Sequence, residues 1–559
     1  MADGAHEPPA FSFRKAFLWT EIFRCFQVAL DPRKLLVAAT GILVMALGWY
    51  VLSTIFYKEA PKRDDDGRYG NVAMKKEHGD KNEKGIDFTE DGYKAKGDEA
   101  FNRDFAEWRV LHDLAGKDKD GNSTGQLRTM PWNEYRGPNP FLLVTRLIGG
   151  SSIDISDAFG QFLSGTVPVL VEPLRKQLLP IIKLMDPNAS VLTRLYLILA
   201  LLWSVAVWAF FGGIITRIAA VQFAGKERIS LKQAVKFVVS RYVSYVLSPI
   251  VPLGVIFVIV VLMAAYGFVA LIPGLGDIVL YGIGMPLVLL GGIAIAILLV
   301  GLVGYPLMNA TISAEGSDTF DALSRSYNYV FQAPWAYLWN SLVAVFYGAL
   351  VTFFVVFIGS LMIYAGKWAI CQAPLNETTK RKPDYLFVYA PESFGWKELL
   401  LKGSPIEQKP TTVIDENTSR TRVTYSDANK VEADAYRSEI TVVEKIGAAM
   451  VTFWLVLVFL LVIGFSYSYF WTAATMVYLL MRKKVDETEM DEVYVEDETA
   501  GSPFAPAPVT PPAVVTPPAP ATQSLPVVPP PPAPPVVPPP PAPKVEESPK
   551  PSMDEPKAI

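Results

Sequence analysis

Cysteine and histidine are nearly absent from this chain, and the two shortages exclude several kinds of chemistry. Cys25 and Cys371 are its two cysteines, and they fall on opposite sides of the membrane in the topology derived below. A disulfide framework and a cysteine-based zinc site are thereby excluded. His6, His78 and His112 all lie in polar segments, so no histidine proton relay runs through the apolar blocks. Net charge is small as well: 51 basic against 55 acidic side chains leave -4 over 559 residues, which offers nucleic acid no attractive field. Ionisable side chains are missing from the centres of the apolar blocks, where an ion-driven transporter keeps them, with Asp277 and Lys367 only at block edges.

Apolar side chains are what the chain has in excess. They make up 51% of it, with a mean hydropathy of +0.27, and they gather in uninterrupted blocks. A spanning helix needs roughly 20 apolar residues, because its backbone groups must all be satisfied internally. Six blocks qualify, at 35–57, 195–215, 246–272, 278–307, 335–364 and 447–480. The fourth carries many glycines together with Pro286 and Pro306, and reads as one tilted or kinked span. The first is a signal anchor, with no small-residue cleavage pattern after its aromatic end at Trp49, Tyr50, Phe56 and Tyr57. Arg14, Lys15, Arg24, Arg33 and Lys34 precede it and predict a cytoplasmic N-terminus. Arg217, Lys226, Arg228, Lys232, Lys236 and Arg241 after the second span, and Arg482, Lys483 and Lys484 after the sixth, agree with that alternation. Both termini are expected inside, in a bacterial inner membrane.

This gives an all-α membrane protein: a cytoplasmic amphipathic helix in 1–34, extracytoplasmic insertions at 58–194 and 365–446, and cytoplasmic amphipathic loops at 216–245 and 308–334. An acidic, then proline-rich, disordered tail occupies 481–559. Within the first insertion, prolines and charges at 167–185 rule out a span and predict a broken helix resting on the outer membrane surface.

The two cytoplasmic loops resemble each other. In one, Ser230 and Gln233 form a capping box, and Leu231, Val235, Val238, Tyr242 and Tyr245 share a face. In the other, Asp318 is the N-cap, and Phe320, Leu323, Tyr327 and Val330 share a face. A third copy at the N-terminus would place Trp19, Phe23, Phe26 and Leu30 together, with Asp31-Pro32 leading into a span as Ala333-Pro334 does. Three parallel units, each a surface helix followed by an out-and-back hairpin, would result.

The stretch from Glu315 to Tyr327, followed by Phe331-Gln-Ala-Pro-Trp335, resembles a loop of uncharacterised bacterial polytopic proteins related to the membrane domain found beside glycerophosphodiester phosphodiesterases. The likeness extends over about residues 195–365 and implies a membrane anchor or scaffold, while no phosphodiesterase domain accompanies it here.

Other motifs read most simply as structure. Asn340 inside the fifth span suits an interhelical hydrogen bond, and Gly291, Gly292, Gly301 and Gly304 suit close helix packing. The run from Asp118 to Asn122 fails as a calcium loop, because Ser123 and Thr129 stand where glycine and glutamate are required. Asn122, Asn376 and Asn417 head glycosylation triplets of the kind that arise by chance. Two aromatic, proline-rich and glycine-rich stretches, 128–138 and 385–396, predict a shared outer cap. No catalytic, cofactor or metal residue is predicted. The expectation is a non-enzymatic scaffold or envelope-organising protein contacting membrane lipids, with envelope proteins at the cap and a cytoplasmic partner on the tail. A transporter or permease-like subunit is the alternative, and no oligomeric state follows.

Overall fold

A computed structural model describes residues 17–56, 101, 104, 130–149, 154–186, 189–226, 228–268, 274, 276–372, 383–415, 420–427 and 429–495. The histidines, the failed calcium loop, the three glycosylation triplets and the proline-rich tail lie outside these residues.

Among the described residues, six helices are long and apolar enough to cross a membrane: α2 (Pro32–Ile55), α6 (Val191–Phe223), α8 (Tyr242–Gly267), α9 (Met285–Leu302), α12 (Pro334–Cys371) and α15 (Val442–Val485). Several begin on a clear start signal in the sequence. Asp31 caps α2 by accepting from the Arg33 amide, with Pro32 at the first helical position. Ser190 caps α6, and Thr441 with Glu444 closes a capping box at α15. Most spans run past their expected bounds, because the flanking polar residues continue the helix where they meet protein. The block 278–307 behaves differently: it divides into a π-helical turn Asp277–Ile283, then α9, then α10 (Tyr305–Glu315), with the break at 303–304 just before Pro306.

Three short helices enter spans through a break of one or two residues. They are α1 (Arg24–Ala29), preceded by the 3-10 turn Leu18–Phe23; α7 (Leu231–Ser240); and α11 (Thr319–Gln332). The capping box Ser230–Gln233 and the Asp318 cap are both formed. Their expected faces pack on the core for the most part, at Val235, Val238, Tyr242 and Tyr245, at Leu323, Tyr327 and Val330, and at Trp19 and Phe26, and depart from it in part. Ala322, Ser326, Tyr329 and Val330 are buried on α11 while Phe320 is 69% exposed, and Ile22, Cys25 and Ala29 are buried near the N-terminus while Phe23 faces out. In α7 the buried residues are Ala234, Phe237 and Val238. Small side chains face protein because they let backbones approach, whereas large apolar ones are equally well placed in lipid.

The returning helices α6, α10 and α15 pack on one another at the centre, and α7, α11 and α1 pack on α6, α10 and α15 in turn. The outgoing spans lie around them. Helices α8 and α9 are the most peripheral, with 17% and 6% of their apolar windows buried against 56% for α6. Gly301 and Gly304 lie directly against Tyr327 and Ser326 of α11, and Gly291 against Met263, as close packing requires, while Gly292 faces open space.

Two segments form a cap over one end of the bundle. One contains the 3-10 turn Pro131–Asn133 and α3 (Pro140–Ile148); the other contains the 3-10 turns Pro383–Phe387 and Ser393–Gly395 and α13 (Trp396–Leu401). Beyond them the hairpin β1 (Gln408–Asp415) and β2 (Arg420–Asp427) is antiparallel in register, and α14 (Lys430–Ser438) leads to α15. The hairpin is a small addition to an all-α bundle; alternating β-branched residues at Thr411, Val413, Thr421 and Val423 carry its signal.

The largest departure is α4 (Ile155–Leu170) and α5 (Glu172–Leu184). They are the expected broken helix, divided at Val171, yet they insert between spans rather than resting on a surface. Helix α4 packs on α12 and α15, and α5 on α6 and α15. Leu170 meets Gly348, midway along α12. Replacing Gly301 by Leu would drive a side chain into the Tyr327 ring. Thermal unfolding of the detergent-solubilised protein should show a loss of about 1–3 kcal/mol, with no loss for Gly292→Leu.

Candidate functional site

At the turn between α4 and α5 the chain gathers charges that the centres of the spans lack. Val171 ends α4, Pro173 sets the first turn of α5, and that geometry places Glu172 at the start of a helix with Lys176 one turn on. Arg136 arrives from the cap, where Gly137 takes a positive φ of 90° and rests against Gly165 of α4.

The Arg136 guanidinium is surrounded. Its Nε and Nη2 donate to the two Glu172 carboxylate oxygens at 2.7 and 2.9 Å, and Nη2 also donates to Glu134 at 2.7 Å. Nη1 donates to the Pro131 carbonyl and, at 2.9 Å, to the Ser393 hydroxyl of the second cap segment. Lys176 bridges Glu134 at 2.6 Å and Glu172 at 3.0 Å. The Tyr467 hydroxyl, in the middle of α15, donates to Glu172 at 3.1 Å. Side-chain exposures of 3%, 5% and 1% for Arg136, Glu134 and Glu172 put these charges in a medium where each must be matched. Arg175 is different: it donates to Glu134 at 3.1 Å while half exposed.

Around this network the cap is fastened to the spans. The Asn139 side chain accepts from the first amides of α3 and donates to the Phe394 carbonyl at 2.8 Å and to Ser360 of α12 at 3.1 Å. Trp396 donates to Ser360 at 3.0 Å, and the Glu392 amide to the Trp132 carbonyl at 3.1 Å. Thus the described residues of 128–138 and 385–396 do form one cap. Phe394 takes a left-handed φ of 56°, a conformation costly for a bulky residue, which these bonds hold in place. Lys367 and Asp384, the former a predicted edge residue, pair at 2.8 Å.

A second polar group lies deeper. The Tyr305 hydroxyl faces the amides of Gln177 and Asn309, and the Tyr305 ring packs on Trp471. Polar atoms of Gln177, Asn309, Trp471 and Thr472 are buried without a protein partner. One turn further on, Ser313 meets the hydroxyls of Thr216 at 2.6 Å and Tyr245 at 2.7 Å. Asn340 donates to Met481 Sδ at 3.9 Å across the α12–α15 contact, as an interhelical bond.

The opposite end of the bundle pairs its arginines with carboxylates, Arg33 with Asp31 and Arg325 and Arg482 with Glu315. Arg217 and Arg241 flank the Phe237 ring at 3.9 and 4.3 Å, and Arg33 donates to the Ile229 carbonyl at 2.7 Å. Asp31 is partly buried, which raises a carboxyl pKa, but hydrogen bonds from Arg33 and Gln222 outweigh this and bring it to about 2. Burial pushes the Cys25 thiol well up, so it is an inert core residue. The stretch 486–495, expected to begin the tail, instead folds back here. Arg482 donates to the carbonyls of Glu489 and Glu492 at 2.9 and 2.6 Å, and the Tyr494 amide to the Ala314 carbonyl at 2.8 Å.

Fold and site together define an all-α, multi-pass membrane protein in which an inserted helix pair and an ordered cap share one buried charge network. Residues 137–388 match the family model described as a domain of unknown function, DUF7847, which takes in α4, α5, the cap residues from Gly137 and four of the spans. No curated protein and no solved structure matches the chain. No link to the membrane domain found beside glycerophosphodiester phosphodiesterases is shown by these matches.

Replacing Arg136 by Met leaves two buried carboxylates short of a partner, and equilibrium unfolding should report a loss of about 3–5 kcal/mol. Adding Glu172→Gln to that variant should recover part of it. Asp31 has a folded pKa of about 2 against an ordinary 3.8, so its contribution is complete above pH 3.8 and is lost as pH falls through 2. Asp31→Asn should therefore flatten the acid limb of stability measured between pH 4 and 2.

Proposed function

We propose that the protein is a non-enzymatic membrane scaffold, whose cap and opposite end present rigid surfaces to other components of the cell envelope. One observation carries this reading: the Arg136 guanidinium directs its donors to Glu134, Glu172, Pro131 and Ser393 of its own chain. A charge so completely matched acts as a tie between parts, holding cap to bundle. The three short helices, each seated on a returning span, fit an internal repeat that builds a platform. Arg33, Arg217, Arg241 and Arg482 lie at the end of the bundle away from the cap, Arg217 and Arg482 buried within it, and the positive-inside rule makes that end cytoplasmic. The same rule supports both termini inside, and the reading takes the membrane as a bacterial inner membrane, with an envelope partner at the cap and a cytoplasmic partner on the tail.

A specific observation favours the second reading, a transporter or permease-like subunit. The unpartnered polar atoms of Gln177, Asn309, Trp471 and Thr472 sit among the central helices, where a passing solute would meet them. Purified protein reconstituted in vesicles separates the two. Scaffolding predicts no uptake of ions or small polar solutes above empty vesicles, and uptake abolished by Asn309→Leu would replace it with transport. For orientation, cysteines introduced at Asn417 and Ser524 should be labelled from outside and inside respectively; the reverse pattern would invert the topology.

A further inference from the structure

Where α4 crosses α12 beneath the cap, a narrow cavity of about 20 Å³ is lined by Gln161 and Thr166 of α4, by Thr352 of α12 and by the rings of Phe162, Phe353 and Phe394. We propose that it is a binding site for a single water molecule, which bridges the Thr352 hydroxyl to the Thr166 hydroxyl and so ties the inserted pair to a span. The proposal does not depend on the scaffold reading.

The Thr352 hydroxyl is the first argument. Thr352 is 1% exposed, and its Oγ1 has no hydrogen-bond partner among the described residues. A hydroxyl within a helix can donate to the carbonyl four residues back, and Ser204, Thr216, Ser360 and Thr475 do so at 2.8 to 3.0 Å. Thr352 forgoes that bond while lining the cavity, and a buried hydroxyl without a partner is costly. Size is the second argument. A water needs roughly 10–15 Å³ of such space and about two to four polar partners. The volume admits one, and Thr352, Thr166 and Gln161 supply two hydroxyls and an amide from facing helices. Charge is the third. Arg136 also reaches the wall, but its Nε and both Nη atoms are spent on Glu172, Glu134, Pro131 and Ser393. The groups that remain are neutral and suit a neutral occupant. Around them the α4–α12 contact is apolar, with Phe162 on Phe353 at 5.3 Å and Leu170 against Gly348, so the water supplies a polar link at this crossing.

The test uses the full-length protein in a neutral detergent, read by equilibrium unfolding and by a density map at a resolution that shows ordered water. Wild type should show one water within hydrogen-bonding reach of both Thr352 and Thr166. Thr352→Val keeps the shape of the side chain and removes its hydroxyl. With a bridging water in place, that change should lower the folding equilibrium constant about fivefold, whereas removal of an unpaired hydroxyl would be neutral or stabilising. Thr166→Val should lower the constant by a similar factor. Because each change breaks the same bridge, the double variant should lose much less than the product of the two factors. The proposal is overturned if the map shows no water there, if Thr352→Val or Thr166→Val is as stable as wild type or more so, or if the two losses multiply.

Discussion

The guanidinium of Arg136, held between Glu134 and Glu172, is the interaction on which the architecture turns. It joins four parts of the chain that are remote in sequence: the first cap segment that carries it, the second through Ser393, the inserted helix α5 through Glu172, and, through Glu172 in turn, the Tyr467 hydroxyl of the span α15. A low-dielectric surrounding makes each partner obligatory, since any one of them left alone would be a buried unmatched charge. Such a network adds less to net stability than an apolar replacement could. It does specify where the cap and the inserted pair must sit.

That constraint explains why prolines and charges in α4 and α5 are compatible with a position among spans. Facing lipid, Glu172, Arg175 and Lys176 would forbid it. Facing one another, Arg136 and Tyr467, they are satisfied, and Pro168, Pro173 and Pro180 break or bend helices that have protein rather than hydrocarbon around them. The spans need no ionisable residue at their centres, because the charged groups are delivered there from between them.

The sequence made the six spans legible because hydropathy depends on local composition alone, and it made the caps at Ser230 and Asp318 legible because they are contacts over three residues. The shared cap was foreseen from the turn chemistry of 128–138 and 385–396. Two features were hidden for physical reasons. Arg136 and Ser393 are remote in the chain, so no spacing rule connects them, and a segment too polar to face lipid reads as a surface helix unless its partners are known. The apolar faces of α1, α7 and α11 were legible in the main, with Val238, Tyr245 and Val330 buried, but apolar periodicity marks the buried side only in water, whereas in a membrane both sides welcome apolar groups. Phe320 and Phe23 therefore point outward while Ala322 and Cys25 pack inward.

Insertion of α4 and α5 among the spans is the claim everything else requires. Val169, near the end of α4, and Val356 of α12 are both buried in one core cluster and line one narrow cavity. The most direct measurement is cross-linking of Val169→Cys to Val356→Cys with a short bifunctional thiol reagent in native membranes, with Cys25 and Cys371 replaced by Ala. Rapid, near-complete intramolecular cross-linking is the result expected of an inserted pair. An introduced thiol on α4 that reacts freely with membrane-impermeant reagents and never joins the one on α12 would place the pair on the surface and contradict the account.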